Sequence, residues 1–118
     1  LKRDYHAAYF SGRQQEIIAP ALAMIERDYD PIAASALAAA CGISEAYLRR
    51  LFVRCLGVPP TVYMLQRRLQ HAYELIASQE FSVTAAATAA GFCDMSYFSR
   101  AFKKHFGIAP AALRKGDN

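Results

Sequence analysis

Cysteine is scarce in this chain, and what there is does not pair. Cys41, Cys55 and Cys93 make an odd number, and no two stand at Cys-x-x-Cys spacing. Neither a disulfide framework nor a zinc site is indicated; buried, reduced thiols in a reducing cytosol are the expectation. Long apolar runs are also lacking. None approaches the ~18 residues of a membrane span, and no signal peptide is visible. No segment reads as a strand. No nucleophile–base arrangement, metal spacing or phosphate-cradling glycine loop appears. An enzyme is therefore the class with least support, and no cofactor or metal is called for.

What is present is a foldable, mildly basic chain. Its 118 residues are 54% hydrophobic, which argues for a globular protein of one domain or two small subdomains. A formal net charge of +4 and a pI of about 9.1 fit an anionic partner, although proteins that bind no nucleic acid carry similar charge. The chain opens at Leu1 rather than at a methionine, which reads as a piece of a longer protein.

Every periodic segment is helical. Residues 1–15 read as a lead-in or linker, with a break at Ser11-Gly12. Ile18, Leu22, Ile25 and Tyr29 then recur at helical spacing. Pro20 falls in this run, either in the first turn of a shorter helix or as a kink in a longer one. A short Ala-rich helix over about 34–41 is stopped by Gly42. Ser44 caps a helix over about 45–55 that Gly57 stops, completing a first lobe over 16–58. A connector over 59–79 holds a long amphipathic helix, with Val62, Leu65, Leu69, Ala72 and Ile76 on one side. In a second lobe over 80–118, Ser82 caps another Ala-rich helix stopped by Gly91. Asp94 caps a helix stopped by Gly107, and Pro110 opens a last short one.

The two lobes are a repeat. Gly42 recurs as Gly91, forty-nine positions on. Tyr47, Arg50, Phe52, Gly57 and Pro60 recur fifty positions on, as Tyr97, Arg100, Phe102, Gly107 and Pro110. The one-residue difference falls in the turn at Asp94, where insertion costs least. Each half is a short helix, a glycine turn and a second helix, which is the helix-turn-helix pattern.

The second helices are two-sided at about 100° per residue. Phe98, Ala101, Phe102, His105 and Phe106 share one face, and Ser96, Ser99, Arg100 and Lys103 the other. In the first lobe Leu48, Leu51, Phe52, Cys55 and Leu56 lie opposite Ala46, Arg49, Arg50 and Val53. The Phe stripe is core, not a stacking platform for single-stranded bases. His105, at its edge, reads as a packed histidine, and Tyr97 falls between the faces. Cations opposite a core stripe are usually only solvated. The same small-plus-arginine face occurring twice is a stronger sign: small residues allow close approach to a groove, and arginine binds guanine bidentately. A connector helix of about 17 residues is about 26 Å long. With packing offsets at each end, that approaches the ~34 Å repeat of the major groove.

These residues bring a known family into view. GFCDMSYFSRAFKKHFGIAPAALRK, with LAAACGISEAYLRRLF and the connector's RRLQHA, resembles the DNA-binding domain of AraC/XylS-type bacterial transcription regulators over about residues 17–115. The resemblance implies an all-α domain of about seven helices: two helix-turn-helix lobes joined by a long connector helix. The second helix of each lobe would enter successive major grooves of double-stranded promoter or operator DNA. Carried over by position, Ala46, Arg49, Arg50, Met95, Ser96, Ser99 and Arg100 would face bases. Ser35, Arg54, Thr84, Lys103 and Lys104 would meet phosphates. Arg68 matches a recurrent connector arginine, for which a structural ion pair is the favoured role.

The sequence departs from the pattern at Ala33, where the family often has a capping Ser or Thr, and at Val53, where it has a lysine. Ala86 replaces a larger aliphatic residue and Leu113 an aromatic one. The implied protein is a cytoplasmic regulator, an activator, nucleoid-associated when bound. Its sensor and dimerisation functions would lie in an N-terminal domain; a stand-alone two-lobed regulator is the alternative. A second reading is a helical protein–protein module contacting RNA polymerase through Lys104, Arg54 and an acidic patch at Glu26, Asp28 and Asp30.

Overall fold

The computed structural model describes residues 12–27 and 29–114. Among them are seven helices and no strand, the all-α architecture expected. The helices are α1 (Gly12–Arg27), α2 (Ala34–Cys41), α3 (Glu45–Leu56), α4 (Pro60–Ala77), α5 (Val83–Ala89), α6 (Met95–Phe106) and α7 (Pro110–Arg114). Most of the expected lead-in, and Asp28, lie outside the described residues. Helix α1 is described from Gly12, six residues before the first apolar repeat at Ile18, and Pro20 sits in its interior rather than its first turn. The added turn carries Gln14 and Gln15, so it has no apolar periodicity by which the sequence could announce it.

Packing divides the chain into two units between Met64 and Leu65. In the first, α1, α2 and α3 pack on one another. Their core is Ile18, Ala21, Ile25, Leu37, Ala38, Leu48, Leu51, Phe52 and Cys55, with Tyr63 and Met64 from the start of α4. Tyr63 meets Phe52 edge-on at 5.8 Å between ring centroids. In the second unit the core is Leu69, Ala72 and Ile76 of α4, Ala86 and Ala87 of α5, Ala90, Phe92, and Phe98 and Phe102 of α6. Rings run through this core and out to partly buried Phe106: centroids lie 4.9 Å apart for Phe92–Phe98, 5.5 Å for Phe98–Phe102 and 4.6 Å for Phe102–Phe106. Each fully buried Phe contributes about 1.5–3 kcal/mol over exposure. Ala86 and Ala87 are fully buried; on a seven-residue helix their small side chains let α5 approach these rings closely. Arg114 ties α7 back by donating from Nε to the Phe81 carbonyl at 2.8 Å.

The two turns that aim α3 and α6 have one hydrogen-bond pattern. Gly42, at φ 69°, donates to the Ala39 carbonyl, and Ile43 donates to Ala38, both at 3.1 Å. Gly91, at φ 91°, donates to Thr88 at 3.0 Å, and Phe92 donates to Ala87 at 2.9 Å. This is a left-handed helix stop, in which any Cβ is penalised. The chain then re-enters a helix on a side-chain cap. The Ser44 hydroxyl accepts from the Tyr47 N–H at 3.1 Å, and the Asp94 carboxylate accepts from the Tyr97 N–H at 3.0 Å. One residue separates Gly42 from its cap and two separate Gly91 from its own, so the extra residue falls within the turn, as the repeat implies. Ser82 caps α5 through Ala85 N–H at 3.0 Å. Ala33 stands at the N-cap of α2 in extended backbone with no side-chain acceptor.

Three expectations about burial are corrected. Val62 is exposed, and Tyr63 and Met64 are buried in the first core instead. Of the cysteines only Cys55 is buried, while Cys41 is half-buried and Cys93 exposed in the longer second turn. Burial pushes the Cys55 thiol pKa up, against a weaker opposing pull from Arg54, and keeps it protonated and inert. His105 is exposed, its ring edge-on to Phe106 at 4.6 Å; the bulk of Phe106 fills the edge of the core that the projection offered to His105.

Candidate nucleic-acid interface

Helix α3 presents Ala46, Arg49, Arg50, Val53 and Arg54 to solvent from its outer side. The buried stripe of Leu48, Leu51, Phe52 and Cys55 fixes that side. Helix α6 does the same with Ser96, Ser99, Arg100, Lys103 and Lys104 exposed over buried Phe98 and Phe102. Met95 differs: it is half-buried and packs against the second core, at the inner edge of this face. Ser35 and Thr84 are exposed in the first turns of α2 and α5. In each unit one helix thus supplies a row of small and cationic side chains with no apolar obligation.

Helix dipoles suit these charges. Glu45 opens α3 and Arg54 lies in its last turn; Lys103 and Lys104 occupy the last turn of α6. A cation near a helix C-terminus is stabilised by roughly 0.3–1 kcal/mol. The last-turn cations therefore have a local structural reason to be there. Arg49, Arg50 and Arg100, farther from the helix ends, have less of one.

The arginines do not stand in equivalent surroundings. The Arg50 guanidinium carbon lies 5.5 Å from the centroid of the Tyr47 ring. Arg68, for which an ion pair was expected, instead lies over Phe92 at 5.0 Å. No acidic partner for it occurs among the described residues, and its Nε is buried without a hydrogen-bond acceptor. Burial lowers its pKa from the usual arginine range, partly offset by Tyr97 and Cys93 nearby. Tyr97 is 43% exposed, with its ring tilted against Phe92 at 6.4 Å. The sequence marks Tyr47 only as a member of the repeat; its three-residue spacing from Arg50 on one helix is the signal for the contact.

Among the described residues no three metal-binding side chains cluster, and no helix is long and apolar enough to cross a membrane. The two glycine turns, the capped second helices and their outward arginines define a helix-turn-helix DNA-binding domain, duplicated. A family profile described as a helix-turn-helix domain matches residues 37–116. The HTH-type transcriptional regulator YidL of Escherichia coli (strain K12) is 46% identical over 79 residues, 67% of this chain and 27% of that protein. The virulence regulon transcriptional activator VirF of Yersinia enterocolitica is 29% identical over 73 residues, 62% of this chain and 27% of that protein. A crystal structure of an AraC-type DNA-binding-domain transcriptional regulator from Chromobacterium violaceum superposes with a TM-score of 0.76 at 29% identity, covering 89% of this chain and 95% of that one. The chain belongs to the AraC/XylS family of transcription regulators, as its DNA-binding domain. That family is one of regulators, not an enzyme class, and the domain's partner is double-stranded DNA. The chain spans about a quarter of the length of these curated relatives.

Proposed function

We propose that the chain reads promoter DNA sequence-specifically within a bacterial transcription activator, with α3 and α6 in successive major grooves of one duplex. The observation that carries this reading is the duplicated outer face: Ala46, Arg49 and Arg50 on one capped helix, Ser96, Ser99 and Arg100 on the other, all exposed opposite buried stripes. These residues would meet base edges, with Met95 at the margin, where its half-burial limits its reach. Arg54, Lys103, Lys104 and the hydroxyls of Ser35 and Thr84 would hold phosphates and set register. The VirF name supports activation rather than repression. The greater length of the relatives leaves room for a separate sensor and dimerisation domain in the whole protein, which we place in the cytoplasm, on the nucleoid when bound.

Binding to promoter duplexes across a salt series tests the reading. The logarithm of affinity should fall linearly with the logarithm of salt, at about 0.9 per phosphate neutralised. Salt-independent affinity, or none at low salt, would sink it. The second reading, a surface for RNA polymerase, is favoured by the exposed Glu26 and Asp30 on the first lobe. Polymerase capture that survives charge reversal of Arg49, Arg50 and Arg100 but is lost on reversing Glu26 would support it.

A further inference from the structure

Both second helices carry tyrosine and arginine three residues apart, and the lobes use the pair differently. In the first lobe Tyr47 is half-buried against the core, its N–H anchored on Ser44 at 3.1 Å. The Arg50 guanidinium lies over its ring, 5.5 Å from the centroid. In the second lobe Tyr97 turns toward Phe92, with centroids 6.4 Å apart, and Phe92 also carries Arg68 at 5.0 Å. By the repeat, Phe92 stands where the first lobe has Ile43. With no aromatic neighbour at that position, the Tyr47 ring remains available to Arg50. Among the described residues Arg100 meets no ring.

We propose that Tyr47 is a positioning residue for Arg50, presetting the guanidinium for the base it reads. This rests on the reading of Arg50 as a base contact. An arginine side chain is rich in rotamers, and ordering it on binding costs free energy. A ring that already holds the guanidinium removes part of that cost before DNA arrives. The arrangement is compatible with recognition, because among the described residues Arg50 donates no hydrogen bond, so its N–H groups remain for a guanine edge. Arg100, which meets no ring among the described residues, lacks this support.

The test is selection from a random duplex library with the chain and its Tyr47→Leu, Tyr47→Phe and Arg50→Ala variants, alongside salt titrations and thermal unfolding. Arg50→Ala should erase preference at one or two base positions. Tyr47→Leu keeps an apolar anchor but loses the ring face. It should weaken discrimination at those same positions by about two- to fivefold, with the salt dependence and melting temperature unchanged. Tyr47→Phe keeps the ring and should restore the parent profile. A parental profile for Tyr47→Leu beside an altered Arg50→Ala would overturn the positioning role alone. So would a uniform loss of affinity, with a lower melting temperature and unchanged relative preferences. An Arg50→Ala profile identical to the parent would instead overturn the base contact on which the proposal stands.

Discussion

At the scale of single residues, environment separates arginines that composition counts alike. Arg100 is exposed on the outer side of α6, with the helix beneath it pinned by Phe98 and Phe102. If it reads a base, Arg100→Ala should cost about 1–3 kcal/mol of discrimination at one position. A library selection that finds every position unchanged refutes the contact. Arg68 is the contrary case. Its Nε is buried without an acceptor and its charge rests on the face of Phe92. Removing a half-buried charge that has no ion-pair partner relieves a desolvation cost, while methionine keeps much of the packing on the ring. Arg68→Met should therefore leave the unfolding midpoint within a few degrees or raise it, and leave the salt dependence of DNA binding unchanged. A loss of more than about 3 kcal/mol in denaturant unfolding would show that a buried ion pair had been broken. A shallower salt slope would show a phosphate contact.

At the scale of elements, the starts and stops of the helices are nearly all local chemistry, and that is why so many were legible. Ser44, Ser82 and Asp94 cap as their residue types predict, each accepting the backbone N–H three residues on. Gly42, Gly57, Gly91 and Gly107 all take positive φ at helix ends. Two elements lack the residue their geometry asks for, and each offers a test. Ala33 sits at the N-cap of α2 at φ −64° and ψ 140° without an acceptor. Ala33→Ser should stabilise the domain by about 1 kcal/mol in chemical denaturation. Gln79, just beyond α4, holds φ 67° and is the one described non-glycine residue at positive φ. A Cβ there is costly, so Gln79→Gly should add roughly 1 kcal/mol. A lower midpoint would mean that the Gln79 side chain contributes more than its backbone strain costs. The first described turn of α1 was not legible, because it is polar and the interior proline of the helix reads locally as a terminus.

At the scale of the whole molecule, two cores are strung on one chain, and the connector helix contributes to both. Phe98 is fully buried among Phe92 and Phe102, so Phe98→Ala should cost about 3–5 kcal/mol. Amide hydrogen exchange should show that loss in α5, α6 and α7 while α1 to α3 keep their protection, as separate cooperative units do. Equal loss of protection in both would show that the molecule opens as one unit.

The sequence by itself determined the all-helical class, the duplication, the glycine turns, the caps and the two-sided character of α3 and α6. The duplication is read by matching one half of the chain to the other; the rest follow from interactions within about four residues, or from a periodicity that one helix carries alone. Tertiary structure decided what lies on the margins of the faces. It turned Val62 outward, left His105 in solvent beside Phe106, drew Met95 inward and set Arg68 on a ring. It also gave Arg50 a partner in Tyr47 while Tyr97 went to Phe92. The three-residue spacing makes the Tyr47–Arg50 contact possible, but the same spacing recurs at Tyr97 and Arg100 without it, because Phe92 takes the Tyr97 ring. Competition for a shared edge, not local pattern alone, decides such placements.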